Sequence, residues 1–311
     1  MKFTKYFIPV MSAAFLLSGC SLLGKLGIGG NESVSKPKFE DKGSTVTKTE
    51  FVNGYQQEME DAGLIYKSGQ HYSSFVATAK GAEKTNYKGT MNGNKVSSSD
   101  EETNIQKMSY DANNQVAEFE VSESETEKAS EVGYTVTGKE SYKMTGNYQM
   151  GSNCVYYVDK TTKSYREYSM DYDYIEKNNW MDYILYSQMS GQFGTLSYYM
   201  YSENAEYYKK GSVYTIEIRN DDHQYADQYS DYDRSTTSTT TIQMSFSGNN
   251  VTMKYLYTSN RTVSYVKDDT KYGEYVAGDK TDTTYESYST SEITFKSVTV
   301  KEVDLSNYTK K

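Results

Sequence analysis

The chain has 311 residues, enough for one large domain or two ordinary ones, and it is acidic, with 33 basic and 42 acidic side chains. An acidic chain without a basic run offers no surface for the phosphates of nucleic acid. Two His and two Cys are too few for a His/Cys zinc cage or a disulfide framework. Tyr is the outlier, with 34 copies, and its rings favour strands and can form the apolar body of a core.

The first 20 residues have the pattern of a secretion signal. Lys2 and Lys5 precede an apolar stretch from Phe7 to Gly19, which is too short to span a bilayer but has the length of a signal-peptide hydrophobic region. The stretch ends in Leu17-Ser18-Gly19-Cys20, which resembles the bacterial lipobox at all four positions. The resemblance implies cleavage between Gly19 and Cys20 and a diacylglyceryl group, with fatty acyl chains such as palmitate, on the Cys20 sulfur. The alternative is an ordinary secretory signal that happens to end near a Cys.

This signal predicts the domain organisation and the location. We expect a signal peptide over 1–19, a lipidated Cys and flexible Gly/Ser/Lys-rich tether over 20–44, and a single β-rich extracytoplasmic domain over 45–311. The expected location is the outer face of the cell membrane. Loss of Lys2 and Lys5 makes the mature body still more acidic, so anionic lipid repels it and the two acyl chains alone must hold it.

Two helices are predicted within the body. Thr47 and Glu50 have the spacing of a capping box, Phe51, Tyr55 and Met59 recur at helical spacing, and Gly63 is placed to end the helix, although Asn53-Gly54 weakens it. A second helix is expected after Asp173, with an apolar stripe that the concave face of a sheet would bury. The stripe residues expected to face a ligand are Trp180, Met181, Ile184 and Leu185.

The remaining sequence predicts antiparallel hairpins. Asn92-Gly93 is typical of a type I′ turn, and Gly248-Asn249-Asn250 turns between alternating apolar residues in 242–246 and 251–257. Further hairpins are expected over 108–121 and 154–168, which places Cys154 as a buried, inert thiol. The polar runs 97–102 and 122–131 are loops or exposed strand ends, and 221–241 and 268–291 are long hairpin extensions or disordered loops. A phase slip after Phe295 predicts that the last strand continues to Leu305, either through a bulge or with both faces buried.

These elements predict an α+β fold that is mainly antiparallel β, a curved sheet or open half-barrel with an N-terminal helix and a central helical insert. Over about residues 47–308 the element order is similar to the lipoprotein-carrier (LolA-like) fold. The resemblance implies a half-barrel over internal helices, with a cavity for acyl chains. The alternative is a generic β-rich lipoprotein domain without a ligand.

The search for chemistry predicts no enzyme, no cofactor and no metal. The P-loop-like Gly133–Lys139 fails at Glu140, and Ser264-x-x-Lys267 lacks the companion motifs of penicillin-binding proteins. His71 and His223 have no patterned partners and are expected at the surface. The pairs Asp171/Asp173 and Asp231/Asp233 suit calcium chemically but lack the Gly and the final Glu of an EF-hand.

Two functions remain. The first is a non-enzymatic binder or carrier of an apolar envelope ligand, held in a half-barrel lined by aromatic and Met side chains. The alternative is a surface interaction protein that binds a glycan or a protein through exposed tyrosines, for which the candidates are Tyr156-Tyr157, Tyr198-Tyr199-Tyr201 and Tyr207-Tyr208. The expected partners are the membrane, through the N-terminal lipid, and a lipid, glycan or envelope protein, but not nucleic acid.

Overall fold

The computed structural model describes residues 34–62, 73–131, 134–151, 154–169, 199, 202–269 and 274–311. These residues form one large, curved and unclosed sheet of 13 mostly antiparallel strands, together with one long helix, α1 (Lys48–Asp61). The strands are β1 (Ser44–Thr45), β2 (Phe75–Met91), β3 (Asn94–Asp111), β4 (Val116–Glu131), β5 (Tyr134–Met150), β6 (Cys154–Asp159), β7 (Ser164–Ser169), β8 (Ala205–Lys210), β9 (Val213–Gln224), β10 (Tyr232–Ser247), β11 (Asn250–Tyr265), β12 (Lys280–Phe295) and β13 (Thr309–Lys310).

The strand order is β1-β8-β9-β10-β11-β12-β2-β3-β4-β5-β6-β7-β13, which places β2 at the centre. The sheet therefore consists of two meanders, β2 to β7 and β8 to β12, joined where β2 pairs with β12. Tight turns link the long strands. Asn92 and Gly93 both have positive φ, as a type I′ turn requires, and this confirms the predicted hairpin.

The hairpin of β10 and β11 also has the predicted register. Met244 pairs with Met253 and Phe246 with Val251 across the turn at Gly248, which adopts φ +57°. The polar runs 97–102 and 122–131 lie within β3 and β4 and pair with each other in part. Of the predicted runs 221–241 and 268–291, residues 221–224, 232–241 and 280–291 are strand, so each run is a hairpin extension in part. Residues 225–231, 268–269 and 274–279 are loop.

Helix α1 defines one face of the sheet, which we call the helix face and which carries Ile216, Met244, Met253, Ile293 and Phe119. Thr47 caps α1, since its Oγ1 accepts a hydrogen bond from Glu50 N at 3.2 Å and Glu50 Oε2 accepts one from Thr47 N at 2.9 Å. The helix buries Phe51, Tyr55 and Met59. The Phe51 ring lies 5.3 Å from the ring of Tyr207 and 5.5 Å from that of Tyr214. The predicted helix end at Gly63 lies outside the described residues.

The contact between α1 and the sheet accounts for the glycine at position 54. A Cβ on Gly54 would lie 2.8 Å from the Tyr214 hydroxyl oxygen, so any larger residue would have to displace the Tyr214 side chain. The intrinsic cost of glycine in a helix is about 1 kcal/mol. Packing of α1 on the sheet outweighs that cost.

A second apolar cluster covers the helix face from β12 across β2 to β6. Gly146 leaves room for the Phe119 ring, because a Cβ there would overlap Phe119 Cζ. The cluster is rich in aromatic and Met side chains and includes Phe75, Met108, Tyr110, Phe119, Val121, Met144, Tyr148, Val155 and Ile293.

The two ends of the chain cross the opposite face, which we call the strap face. The N-terminal strap, residues 34–43, is held at Gln243, whose Oε1 accepts from Glu40 N at 2.7 Å and whose Nε2 donates to Glu40 O at 3.0 Å. The chain then enters β1, which pairs with the edge strand β8. Residues 34–44 of the predicted tether therefore contact the sheet, and residues 20–33 lie outside the described residues.

The C-terminal strap, residues 296–304, mirrors this arrangement. Gln149 Oε1 accepts from Val303 N at 2.8 Å, and Gln149 Nε2 donates to Val303 O at 3.0 Å. After the strap, β13 pairs in parallel with β7 at the other edge of the sheet. The predicted bulged continuation of the last strand is therefore wrong, because β12 ends at Phe295 and the following residues hydrogen-bond to polar side chains rather than to a neighbouring strand.

Buried Asp111 fixes the middle of the C-terminal strap. Its Oδ2 accepts from Val300 N at 3.1 Å, and its Oδ1 accepts from Asn113 N at 2.9 Å. Burial raises the pKa of Asp111, but the hydrogen bonds from Val300, Asn114 and Asn113 outweigh it and hold that pKa below its usual range. The carboxylate is thus a charged acceptor built into the strap face.

Candidate functional site

Beyond the two apolar clusters, β2 to β5 and β9 to β12 continue as a polar sheet whose side chains are largely half-buried or exposed on both faces. We call this region the distal sheet; it comprises the described residues 83–102, 122–131, 134–143, 219–241, 256–269 and 274–287. A single layer with accessible side chains on both faces is unusual, because an antiparallel sheet normally buries one face. The distal sheet is therefore the part of the described chain best placed to meet a ligand.

Four tyrosines form a connected array on the helix face of the distal sheet. Tyr265 stacks on Tyr275 with ring centroids 4.2 Å apart and an angle of 6° between the rings. Tyr232, directly opposite Tyr265 in register, lies 5.6 Å from it. The hydroxyls of Tyr87 and Tyr275 are 3.1 Å apart, and burial together with this hydrogen bond raises the pKa of Tyr87. We call Tyr87, Tyr232, Tyr265 and Tyr275 the tyrosine array.

Two arginines lie beside the array on the same face. Arg234 is two residues along β10 from Tyr232, and Arg261 pairs in register with Thr236, two residues further. Arg234 Nη2 donates to Asp222 Oδ2 at 2.9 Å. Arg261 has no carboxylate partner among the described residues, and its buried Nε has no hydrogen-bond acceptor. Burial, and then the positive charge of Arg234, lower the pKa of Arg261.

On the same helix face, carboxylates dominate the other half of the distal sheet, which is formed by β2 to β5. Glu83, Glu102, Glu125 and Glu140 lie directly opposite one another across β2, β3, β4 and β5. Like charges in such register are destabilising. Burial, followed by the charges of Glu83, Glu123, Glu125 and Asp100, raises the pKa of Glu102 to about 7. We call the four residues the glutamate row.

The lysines of the same four strands all point the other way. Register places every lysine of β2 to β5 on the strap face: Lys80, Lys84, Lys88, Lys95, Lys107, Lys128, Lys139 and Lys143. This half of the sheet therefore carries negative charge on one face and excess positive charge on the other.

A cleft of about 560 Å³ opens on the strap face near the tip of the distal sheet. It is lined by Lys88, Lys95 and Lys280. Thr90 pairs in register with Lys95 and accepts a hydrogen bond from Lys280 N at 3.1 Å. Buried Asp279 organises the tip, since its Oδ1 accepts from Gly93 N at 3.1 Å and its Oδ2 accepts from Val276 N at 3.0 Å. Most of the residues that line the cleft are charged or hydroxyl-bearing, whereas a carrier needs a cavity lined by apolar residues.

The site residues predicted from the sequence have mixed fates. Gly19, Cys20, Trp180, Met181, Ile184 and Leu185 lie outside the described residues, as do Tyr198, Tyr201, His71 and the pair Asp171/Asp173. Cys154 is buried, as expected. His223 is exposed and lies 4.4 Å from the ring of Tyr225.

The predicted tyrosine pairs serve mainly the interior and the edges of the sheet. Tyr157 stacks 5.5 Å from Phe119 and donates to the Met144 sulfur at 3.1 Å, and Tyr207 is buried against α1. Tyr208 lies beneath the Lys42 ammonium group at 3.7 Å. The tyrosine array was not predicted. The tyrosine array depends on the register of β2, β10 and β11 and on the position of Tyr275 in the loop before β12. Local periodicity in the sequence reveals neither.

The acidic pair Asp231/Asp233 has a structural use. Asp233 Oδ1 accepts from Ala226 N at 2.7 Å, and the Asp231 carbonyl oxygen accepts from Val266 N at 3.0 Å. Within the described part of the chain, no group of three or more His, Cys, Asp or Glu side chains is arranged to hold a metal ion.

No protein-family model matches the chain, and no curated protein matches it in sequence. Among solved structures, it is similar to Pseudomonas aeruginosa OccK7 (OpdD) with a TM-score of 0.20 and 6% identity, over 71% of this chain and 99% of that one. It is also similar to an outer membrane channel from Pseudomonas putida F1, with a TM-score of 0.20 and 8% identity over 72% and 97% of the two chains. The transport unit of the Escherichia coli autotransporter AIDA-I gives a TM-score of 0.19 and 6% identity over 79% and 98%.

Similarities at this level establish neither a shared fold nor a shared function. Among the described residues, no helix combines the length and the apolar character required to cross a membrane.

Proposed function

We propose that the chain is an extracytoplasmic lipoprotein, anchored to the membrane through Cys20, that binds a glycan or a protein surface on its distal sheet. The tyrosine array carries this proposal. The rings of Tyr232, Tyr265 and Tyr275 contact one another in sequence, and the Tyr87 hydroxyl bonds to that of Tyr275, so flat apolar surface and hydrogen-bonding groups lie together. Such surfaces suit sugars and protein interfaces, where tyrosine is enriched.

The anchor in this proposal rests on the lipobox-like Leu17-Ser18-Gly19-Cys20. The chain reaches the strap face at Lys36, which is ion-paired with Glu286, before it joins the edge of the sheet. A tether that arrives on the strap face leaves the tyrosine array, on the opposite face, free for a ligand.

A second candidate is a carrier of an apolar envelope ligand. The apolar cluster across β2 to β6 favours it, because Met108, Met144, Phe119 and their neighbours supply the aromatic and Met lining expected of such a site. Native mass spectrometry of the purified chain decides between the two candidates: a lipid that co-purifies supports the carrier.

The test of the proposed function is a change to the array. A ligand is first identified by screening immobilised glycans and proteins. We expect Tyr275→Ala to weaken the affinity for that ligand about tenfold, because one aromatic contact contributes about 0.5–1.5 kcal/mol beyond its buried area. Affinity is measured by titration calorimetry. Tyr229→Ala is the matched control, since Tyr229 is 88% exposed and lies outside the array. Equal affinities for both variants and for the unaltered chain contradict the proposal.

A further inference from the structure

Arg261 is a half-buried cation that has no anionic partner among the residues that the structure describes. It projects from β11 on the helix face, where its neighbours in register are Thr236 of β10 and Thr283 of β12, both uncharged. The adjacent carboxylate, Asp222, is already bonded to Arg234. The next residues on this face are Gln224 of β9, opposite Arg234, and Thr281 of β12, opposite Val263.

This arrangement costs stability. A charge withdrawn from water is expensive unless it is paired, and a second cation on the neighbouring strand adds repulsion. The acids of the glutamate row do not relieve it. Glu83 lies opposite Ser287, four residues along β12 from Thr283, or roughly 13 Å. The chain as a whole is acidic, so the lack of a carboxylate paired with Arg261 among the described residues does not reflect a shortage of acids.

We infer that Arg261, together with Arg234, forms an anion subsite beside the tyrosine array, and that the ligand of the array is an acidic glycan. A guanidinium group presents a planar fork of donors that fits a carboxylate or sulfate through two parallel hydrogen bonds. The choice of a glycan rests on the proposed function. The anion subsite does not, because it is inferred from Arg261, which is unpaired among the described residues.

The spacing fits a charged sugar. Arg234 follows Tyr232 by two residues on β10, which separates their Cα atoms by about 6.7 Å. A sugar ring stacked on Tyr232 or Tyr265 thus places an acidic substituent on the adjacent unit within reach of the guanidinium groups. A densely charged polymer fits less well, because the glutamate row on the same face repels it and two arginines do not make an extended basic surface.

The inference is tested with paired oligosaccharides that differ only in charge: galacturonate and galactose hexamers, and sulfated and unsulfated forms of one further hexamer. Binding is measured by titration calorimetry with the full mature chain. We expect the unaltered chain to bind at least one acidic member about tenfold more tightly than its neutral counterpart. Arg261→Gln removes this preference and leaves affinity for the neutral sugar unchanged.

Three variants separate the sources of any loss. Arg166→Gln, on β7 outside the distal sheet, matches the chemistry of the change, and Lys88→Gln removes a charge from the strap face at the same end of the sheet. We expect neither to alter the preference. Tyr275→Ala weakens acidic and neutral sugars equally. Thermal unfolding of each variant verifies that it is folded.

The contrary outcomes are distinct. A chain that binds acidic and neutral members equally, or binds none of them, overturns the anion subsite. A loss with Lys88→Gln as large as with Arg261→Gln assigns anion binding to the cleft and also overturns it. If acidic sugars bind normally to Tyr275→Ala but not to Arg261→Gln, the anion subsite is supported and the role of the tyrosine array in ligand binding is contradicted.

Discussion

At the scale of single residues, the ionised form of Glu102 is destabilised by burial and by neighbouring carboxylates in the distal sheet. It lies between Glu83 and Glu125 in register, and its pKa is raised from an ordinary 4.5 to about 7. The folded chain therefore holds a proton at Glu102 more tightly than the unfolded chain does. Stability from this group is present below pH 4.5 and is lost as the pH rises from there to about 7.

We expect Glu102→Gln to raise the free energy of unfolding at pH 8 by about 1 kcal/mol, after allowance for solvent screening, and to change it little at pH 5. Urea unfolding at the two pH values measures this. Asp111 and Asp279, whose pKa values are lowered from 3.8, stay ionised over this range and do not interfere.

Glu101→Gln is the matched control for Glu102→Gln. Glu101 is the next residue on β3, faces the strap side and pairs with Lys84 at 2.8 Å. Its loss removes a surface ion pair, which contributes at most about 1 kcal/mol. A rise in stability at pH 8 that is the same for both variants would show that register on the helix face is irrelevant.

Local patterns predicted several residues correctly and missed others. Phe51, Tyr55 and Met59 are the three residues that α1 buries, and Asn92-Gly93 forms its turn, because both signals are complete within a few residues of sequence. The glutamate row and the tyrosine array were not predicted. Both depend on which residues face each other across strands, and that register is set by all the hairpins together.

At the scale of elements, Gln149 and Gln243 hold the two straps by the same device. Each carboxamide donates and accepts at one strap residue, as a peptide group of a neighbouring strand would. Nothing local in the sequence marks these glutamines, because each looks like an ordinary polar residue of an alternating strand. The expectation that the last strand continues past Phe295 failed for the same reason.

We expect Gln149→Ala to lower the free energy of unfolding by about 2–3 kcal/mol, because two hydrogen bonds are lost and the peptide groups of Val303 are left without partners. Hydrogen exchange locates the effect: the amide of Val303 should exchange faster and the pairing of β13 with β7 should weaken.

Gln57→Ala on the exposed side of α1 is the control for Gln149→Ala, since Gln57 bonds only to Asp61 at 2.8 Å in the same helix. Unchanged protection at Val303 in Gln149→Ala would show that the strap is held by Asp111 and Asn147 instead.

At the scale of the whole molecule, the proposed attachment at Cys20 makes a direct prediction. We expect Cys20→Ala to move the chain from the membrane fraction to the soluble fraction, because no lipid can then be added. Fractionation with immunoblotting measures this. Cys154→Ala, which alters the other cysteine, should stay with the membrane. Retention of both variants at the membrane refutes lipid anchoring through Cys20.

The antiparallel character of the fold was predictable, but the strand order was not. Alternation and turn residues identify hairpins between neighbours, and the chain is built largely from them. The pairing of β2 with β12 joins Phe75 to Phe295 and leaves no local trace. The predicted central helix after Asp173 lies outside the described residues and stays a prediction.

The central position of β2 has a consequence for biogenesis. A chain that emerges N-terminus first completes β2 long before its second partner exists, and at 5–20 residues per second the delay is on the order of 10–40 s. During that interval β2 is an open border on which another nascent chain could add a strand. Lys80, Lys84 and Lys88 line this border at every fourth residue, and such charges discourage intermolecular pairing. These lysines thereby reduce the risk of aggregation before the sheet is complete.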